Sequence, residues 1–165
     1  MPSDAMPGLS PVPEHLHTVT PRLVVRDGAA AIDFYVRAFA AREIGERFVD
    51  PEGRLIHAEL QIGDSVVMIT EESSDADAPA KAPPSLGGIA SAIMATYWED
   101  VDAVWERAVT AGAEVVYPLA DQFYGERGGR LRDRFGQQWM LSQRIEQLSR
   151  EEMERRAASF FSSAD

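Results

Sequence analysis

Apolar and polar residues alternate with a period of two in several short stretches of the chain, and two longer stretches between them switch to a helical period. The first, residues 29–39, sets Ile32, Tyr35 and Phe39 on one stripe; the second, residues 101–109, does the same with Val101, Val104, Trp105 and Ala108. Each is preceded by an aspartate, Asp27 or Asp100, whose side chain can accept the free amides of a first helical turn. Each is followed by small residues, Ala40-Ala41 or Ala111-Gly112-Ala113, and by another alternating stretch. The two copies are offset by roughly 72 residues, too long for a solenoid unit and the right length for half of a duplicated domain.

Alternation fills in the rest of each copy. Residues 18–26 read as a strand with Leu23 and Val25 on one face and Thr20, Arg22 and Val24 on the other; residues 43–49, 54–62 and 65–70 follow, with Gly63-Asp64 as the hairpin turn. The first module is therefore βαβββ. The second repeats it with strands over 91–98 and 114–118 and two more around Gly136. The alternation turns Ile56, Ala58, Leu60, Val67 and Ile69 toward the first helix, and Leu131, Trp139 and Leu141 toward the second. Pro2, Pro7, Pro11 and Pro13 break any period near the start, and residues 71–90 are rich in Ser, Asp, Ala, Pro and Gly. Ser149-Arg150-Glu151-Glu152 fits a capping box, with Met153, Ala157 and Phe160 behind it at helical spacing. The expected division is a flexible N-terminal tail over 1–16, a first module over 17–70, a linker over 71–90, a second module over 91–145, and a C-terminal helix and tail over 146–165. The fold class is α+β.

Composition narrows the function. A chain of 165 residues with 45% hydrophobic content suits one domain of two modules. There is no apolar run near 18 residues and no apolar stretch at the start, so a cytoplasmic protein with no membrane partner is expected. The absence of cysteine removes disulfides, thiolate metal ligands and cysteine nucleophiles. A formal net charge of −11 argues against a nucleic-acid partner. No glycine-rich phosphate loop, adenosylmethionine loop or nucleophile elbow is present, and no cofactor is expected.

The stretch Asp121-Gln122-Phe123-Tyr124-Gly125-Glu126-Arg127-Gly128-Gly129-Arg130-Leu131-Arg132-Asp133-Arg134-Phe135-Gly136-Gln137-Gln138-Trp139, with His57-Ala58-Glu59-Leu60-Gln61-Ile62-Gly63-Asp64, resembles the PhnB-like branch of the vicinal oxygen chelate superfamily, which also holds glyoxalase I, ring-cleaving dioxygenases and bleomycin-resistance proteins. The resemblance covers about residues 18–160 and implies two βαβββ modules forming a U-shaped, partly closed sheet with helices outside. Metal-binding members carry a His or Glu on the first strand and a Glu on the last strand of each module. Those positions fall here on Thr20, Met68, Ile93 and Met140. None supplies the carboxylate oxygen or imidazole nitrogen that a divalent ion prefers, and the flanking Val67, Ile69, Trp139 and Leu141 would not restore one. No metal is expected. His15-x-His17 sits in the proline-rich tail without a third ligand, and His57 with Glu59 offers two ligands where three or four are usual.

Facing the cavity, the alternation leaves Arg22, His57, Glu59, Arg130 and Arg132 around Thr20, Met68, Ile93 and Met140, with Tyr97 nearby and Gln122, Phe123 and Tyr124 on a loop at the mouth. This lining suits a small-molecule ligand held without metal, in the manner of the bleomycin-resistance relatives that sequester an antibiotic or metabolite. An alternative is a metal-free isomerase or lyase, with His57 and Glu59 as base and Arg132 stabilising an oxyanion. A third is a structural or partner-binding module. The resemblance also implies a homodimer, which the apolar residues of the last helix support.

Overall fold

Both aspartates cap helices. Asp27 Oδ1 accepts from the Ala30 amide at 2.9 Å and starts α1, Gly28–Phe39; Asp100 Oδ1 accepts from the Ala103 amide at 3.0 Å and starts α2, Val101–Thr110. The computed structural model describes residues 10, 12–75, 78 and 80–162. Its first sheet contains β1 (Arg22–Val25), β2 (Arg42–Val49), β3 (Leu55–Ile62) and β4 (Ser65–Glu71), in the order β1-β4-β3-β2. The second contains β5 (Ile93–Tyr97), β6 (Glu114–Asp121), β7 (Glu126–Arg132) and β8 (Gln138–Arg144), in the order β5-β8-β7-β6. The first and last strands of each set pair in parallel and the others antiparallel. With α3, Arg150–Ser162, this is the α+β, two-sheet fold that the repeat predicts.

The repeat extends to single side chains. Glu71, at the end of β4, accepts from the Gly28 amide at 2.7 Å, and Gln143, in the matching position on β8, accepts from the Val101 amide at 3.2 Å. Each helix start is thus tied to the last strand of its own set by one side chain, satisfying an amide that the helix itself leaves free.

The chain divides into two compact units, Met1–Val36 with Ala40–Ala82 and Arg37–Phe39 with Pro83–Asp165. In the first, Leu23, Val25, Ala58, Leu60, Val67 and Ile69 are buried together with Ile32, Phe34 and Tyr35 of α1. Ile56 departs from the expected inward set: it is 37% exposed, while its neighbour Leu55 is buried. The β2–β3 register shifts between Phe48 and Val49, so parity is broken at this end of the ladder. In the second unit Leu131, Trp139 and Leu141 are buried with Val101, Val104 and Ala108 of α2. The Trp139 ring lies 4.6 Å from that of Phe39, and its indole nitrogen donates to the buried Asp133 carboxylate at 2.9 Å.

Of the expected tail, residues 1–9 and 11 lie outside the described residues, as do 76, 77 and 79 in the linker stretch and 163–165 at the other end. The later part of the stretch read as linker is fastened. The Ala82 amide donates to Glu72 Oε2 at 2.8 Å, Ala82 and Pro83 are buried, and Pro83–Leu86 form a short 3-10 helix.

The Glu152 amide donates to Ser149 Oγ at 3.2 Å at the start of α3, but the Glu152 carboxylate turns to Arg155 and Arg156 instead. Those two guanidiniums hold its pKa down to about 2. A carboxyl depressed in the folded state supports the fold above its unfolded pKa and loses that support as pH falls toward the folded value. We therefore expect α3 to loosen between about pH 5 and pH 2. Amide NMR signals of residues 150–162, followed in wild type and Glu152→Gln, check this: the variant should lack the acid-dependent step.

Candidate functional site

Each sheet has one face that its apolar helix-side residues leave uncovered, and cross-strand register fixes what lies on it. On the first sheet Arg22, Met68, Glu59 and Ile44 form one row across β1, β4, β3 and β2. Thr20 precedes β1 and donates its hydroxyl to the His17 carbonyl at 3.0 Å; Arg22 Nη2 donates to the Ile56 carbonyl at 2.9 Å. His57 lies beside Glu59 on the same face, with Nε2 at 3.3 Å from Oε1. The second Glu59 oxygen is 2.7 Å from His15 Nε2. The described end of the N-terminal segment therefore reaches this face, which the reading of His15 as part of a tail pair with His17 does not anticipate.

The helix-free face of the second sheet is laid out in three rows. Ile93, Gln138, Arg132 and Glu114 form the first; Ala95, Met140, Arg130 and Tyr117 the second; Tyr97, Ser142 and Gly128 the third, with Ala120 opposite Gly128. Arg132 Nη2 donates to Glu114 Oε2 at 2.6 Å, and Gln138 Nε2 donates to the Ala90 carbonyl at 2.7 Å. The Tyr97 hydroxyl donates to Glu126 Oε1 at 3.3 Å, and that negative charge pushes the phenol pKa up.

On the 122–125 loop the aromatic rings pack on one another and on α3. Phe123 packs 4.9 Å from Phe160 and 6.2 Å from Phe161 of α3, edge-on to Tyr124 at 5.2 Å. Gln122 Nε2 donates to the Gly128 carbonyl at 3.1 Å. Burial raises the Tyr124 pKa, so its hydroxyl stays a neutral donor. Phe123 is thus committed to holding α3 on the loop. A depression of about 440 Å³ beside α2, lined by Arg37, Ala103, Glu106, Arg107, Thr110 and Ala111, contains none of the residues singled out from sequence.

The two sheets repeat one register at the positions expected to chelate. Arg22 stands opposite Met68, and Ala95 opposite Met140, with Thr20 and Ile93 two residues upstream of each. A hydroxyl already donated to a carbonyl, an aliphatic chain and two thioethers do not make a donor set for a hard or borderline divalent ion. Among the described residues no group of three or more His, Asp, Glu or Cys side chains is disposed to hold a metal ion. The metal that the chelate fold implies does not fit these residues.

The model of the glyoxalase/bleomycin resistance protein/dioxygenase superfamily matches residues 15–141, most of the chain. The chain belongs to this superfamily. An uncharacterised protein of Mycobacterium bovis is 43% identical over 137 residues, spanning 82% of this chain and 89% of its own length. TioX of Micromonospora sp. ML1 superposes with a TM-score of 0.61 at 28% identity, over 77% of this chain and 98% of its own. The PhnB protein of Bacillus cereus, described as a putative 3-demethylubiquinone-9 3-methyltransferase, gives 0.57 at 18% identity, over 77% and 99%, and shares the fold. Within this superfamily fold, sequence alternation turns Arg22, His57, Glu59, Met68, Ile93, Tyr97, Arg130, Arg132 and Met140 to the helix-free faces, where the strand register has them. The alternation turns Ser142 to the same face as well, and Gly128, two positions from Arg130, stands opposite it.

Proposed function

We propose that this chain is a metal-independent small-molecule-binding protein of the glyoxalase and bleomycin-resistance type, cytoplasmic and homodimeric, that sequesters a metabolite or antibiotic. The observation that carries this reading is the make-up of the helix-free faces. Thioether, aliphatic and hydroxyl groups occupy the positions expected to chelate; Arg22, His57 and Glu59 share a face with Met68 on the first sheet, and Arg130 and Arg132 share one with Met140 on the second. Apolar surface with a few fixed polar groups is what a small-molecule site requires.

Dimerisation is supported by apolar surface on the edge strands β2 and β6 and on α3. Phe48 is 64% exposed on β2, Val115 and Val116 are exposed on β6, and Phe161 is 66% exposed on α3. That is more apolar surface than scattered single residues account for, and a second copy would cover it. The enzyme alternative is weakened because its polar groups are already engaged: Arg132 with Glu114, and Glu59 with both His57 and His15. A partner-binding module remains third.

A native mass spectrum of the protein purified from its own host tests the proposal. We expect a two-chain species carrying a small molecule. One equivalent of nickel, zinc, iron or manganese per chain would overturn metal independence, and a single-chain species would overturn the dimer. Light scattering of a chain ending at Ile145 locates the interface: a dimer that survives the truncation assigns it to the strands instead of α3.

A further inference from the structure

Arg130 differs from the carboxylate-bound arginines of this acid-rich chain, which has 27 acidic residues against 16 basic ones. Arg54, Arg127, Arg132 and Arg156 each sit on a carboxylate at 2.6–2.8 Å. Arg130 is half-buried, yet among the described residues it forms no ion pair and no hydrogen bond, and its Nε is enclosed without a partner. Its guanidinium lies 5.1 Å above the centre of the Tyr117 ring. One diagonal step across the sheet, Ser142 is 1% exposed and its hydroxyl is likewise enclosed without a partner. Two orphaned donors on one face are unusual, because buried polar groups are nearly always hydrogen-bonded.

The surroundings indicate what is missing. Both acidic side chains on this face already have a donor, Glu114 from Arg132 and Glu126 from Tyr97. Gly128 faces Ser142 across β7 and β8, and a Cβ there would lie 3.1 Å from the Ser142 hydroxyl, so the absent side chain keeps that flank clear. Diagonal neighbours on a sheet stand about 7–8 Å apart, within reach of an arginine side chain. An arginine fork matches the two oxygens of a carboxylate or phosphonate, and is stronger there than any neutral donor.

We propose that the helix-free face of the second sheet binds the oxyanion of a small ligand, a carboxylate or a phosphonate, through Arg130. Ser142, one diagonal step away, is the second donor; Met140 and Tyr117, beside Arg130 on the same face, contact the adjoining apolar part. This deepens the small-molecule reading and rests on it.

The test uses the full chain, labelled with nitrogen-15, and three probes: phenylphosphonate, phenylacetate and uncharged phenylacetamide. With the anions we expect saturable NMR shifts of the Arg130 Nε–Hε signal and of the Gly128 and Ser142 amides. Arg130→Gln should weaken anion binding at least tenfold with the melting temperature held, Arg130→Lys should fall between, and Ser142→Ala should weaken it severalfold; the tighter anion identifies the class. Binding of phenylacetamide as tight as that of the anions, and indifferent to Arg130→Gln, overturns anion recognition while leaving a small-molecule site standing. No saturable shift with any of the three probes overturns both. Should Arg130→Gln fail to fold, the wild-type Arg130 signal and the lysine variant decide the question.

Discussion

Asp133→Ala is expected to lower the stability of the second unit by about 3 kcal/mol, a fall in melting temperature on the order of 10 °C. Asp133 is buried at the turn between β7 and β8, where one carboxylate organises three donors. Oδ1 accepts from the amides of Phe135 at 2.9 Å and Gln137 at 3.0 Å, and Oδ2 accepts from the Trp139 indole at 2.9 Å. Alanine leaves all three donors unmade in the interior, and each costs about 1–3 kcal/mol, offset where water enters the vacated volume. Gly136 closes the same turn with φ +86°, a conformation open to glycine without strain. Asp133→Asn, which keeps an acceptor for some of these donors, should lose less, and Trp139→Phe should reveal the share that belongs to the indole. Thermal unfolding of the three variants checks the order. An alanine variant that melts within a degree or two of wild type would show that the turn holds without its carboxylate.

Gly129→Ala should cost about 1–3 kcal/mol through overpacking. An added Cβ would stand 2.6 Å from Trp105 Cζ3, 2.7 Å from Cη2 and 2.9 Å from the Leu119 backbone nitrogen. The indole of α2 lies directly on this position, so either the ring or the backbone of β6 must move. Trp105→Leu on its own removes packing and also destabilises, but in combination with Gly129→Ala it opens room for the methyl. The double variant is therefore expected to be less destabilised than the sum of the two singles. Denaturant midpoints of the four proteins measure the coupling; strict additivity would mean that ring and methyl do not meet.

Much of the fold is legible in the sequence because it is written twice. Asp27 and Asp100, and the helical stripes behind them, locate both helices, and two-residue alternation assigns most side chains to a face. Ile56 shows where that logic ends: a register shift breaks parity, and nothing in the local pattern marks it. The site is legible only as two sets of inward residues. That Arg132 is engaged by Glu114 while Arg130 is not depends on which carboxylates lie within 3 Å in space, which a strand pattern does not encode. His15 is out of reach for a similar reason, since its partner Glu59 lies 44 positions along the chain. Phe123 falls on the expected loop but has a different task, because the sequence does not say that α3 folds back onto it.

Glu71 and Gln143 have a consequence for how the molecule opens. Each joins the last strand of a sheet to the first turn of the helix that comes some 40 residues earlier in the chain. A helix bound only by its apolar stripe can peel away while the strands stay paired. Here detachment also gives up a hydrogen bond between a backbone amide and a strand side chain, a net cost of about 1 kcal/mol placed where opening would begin. The crossover therefore acts as a clasp between each helix start and the last strand of its sheet.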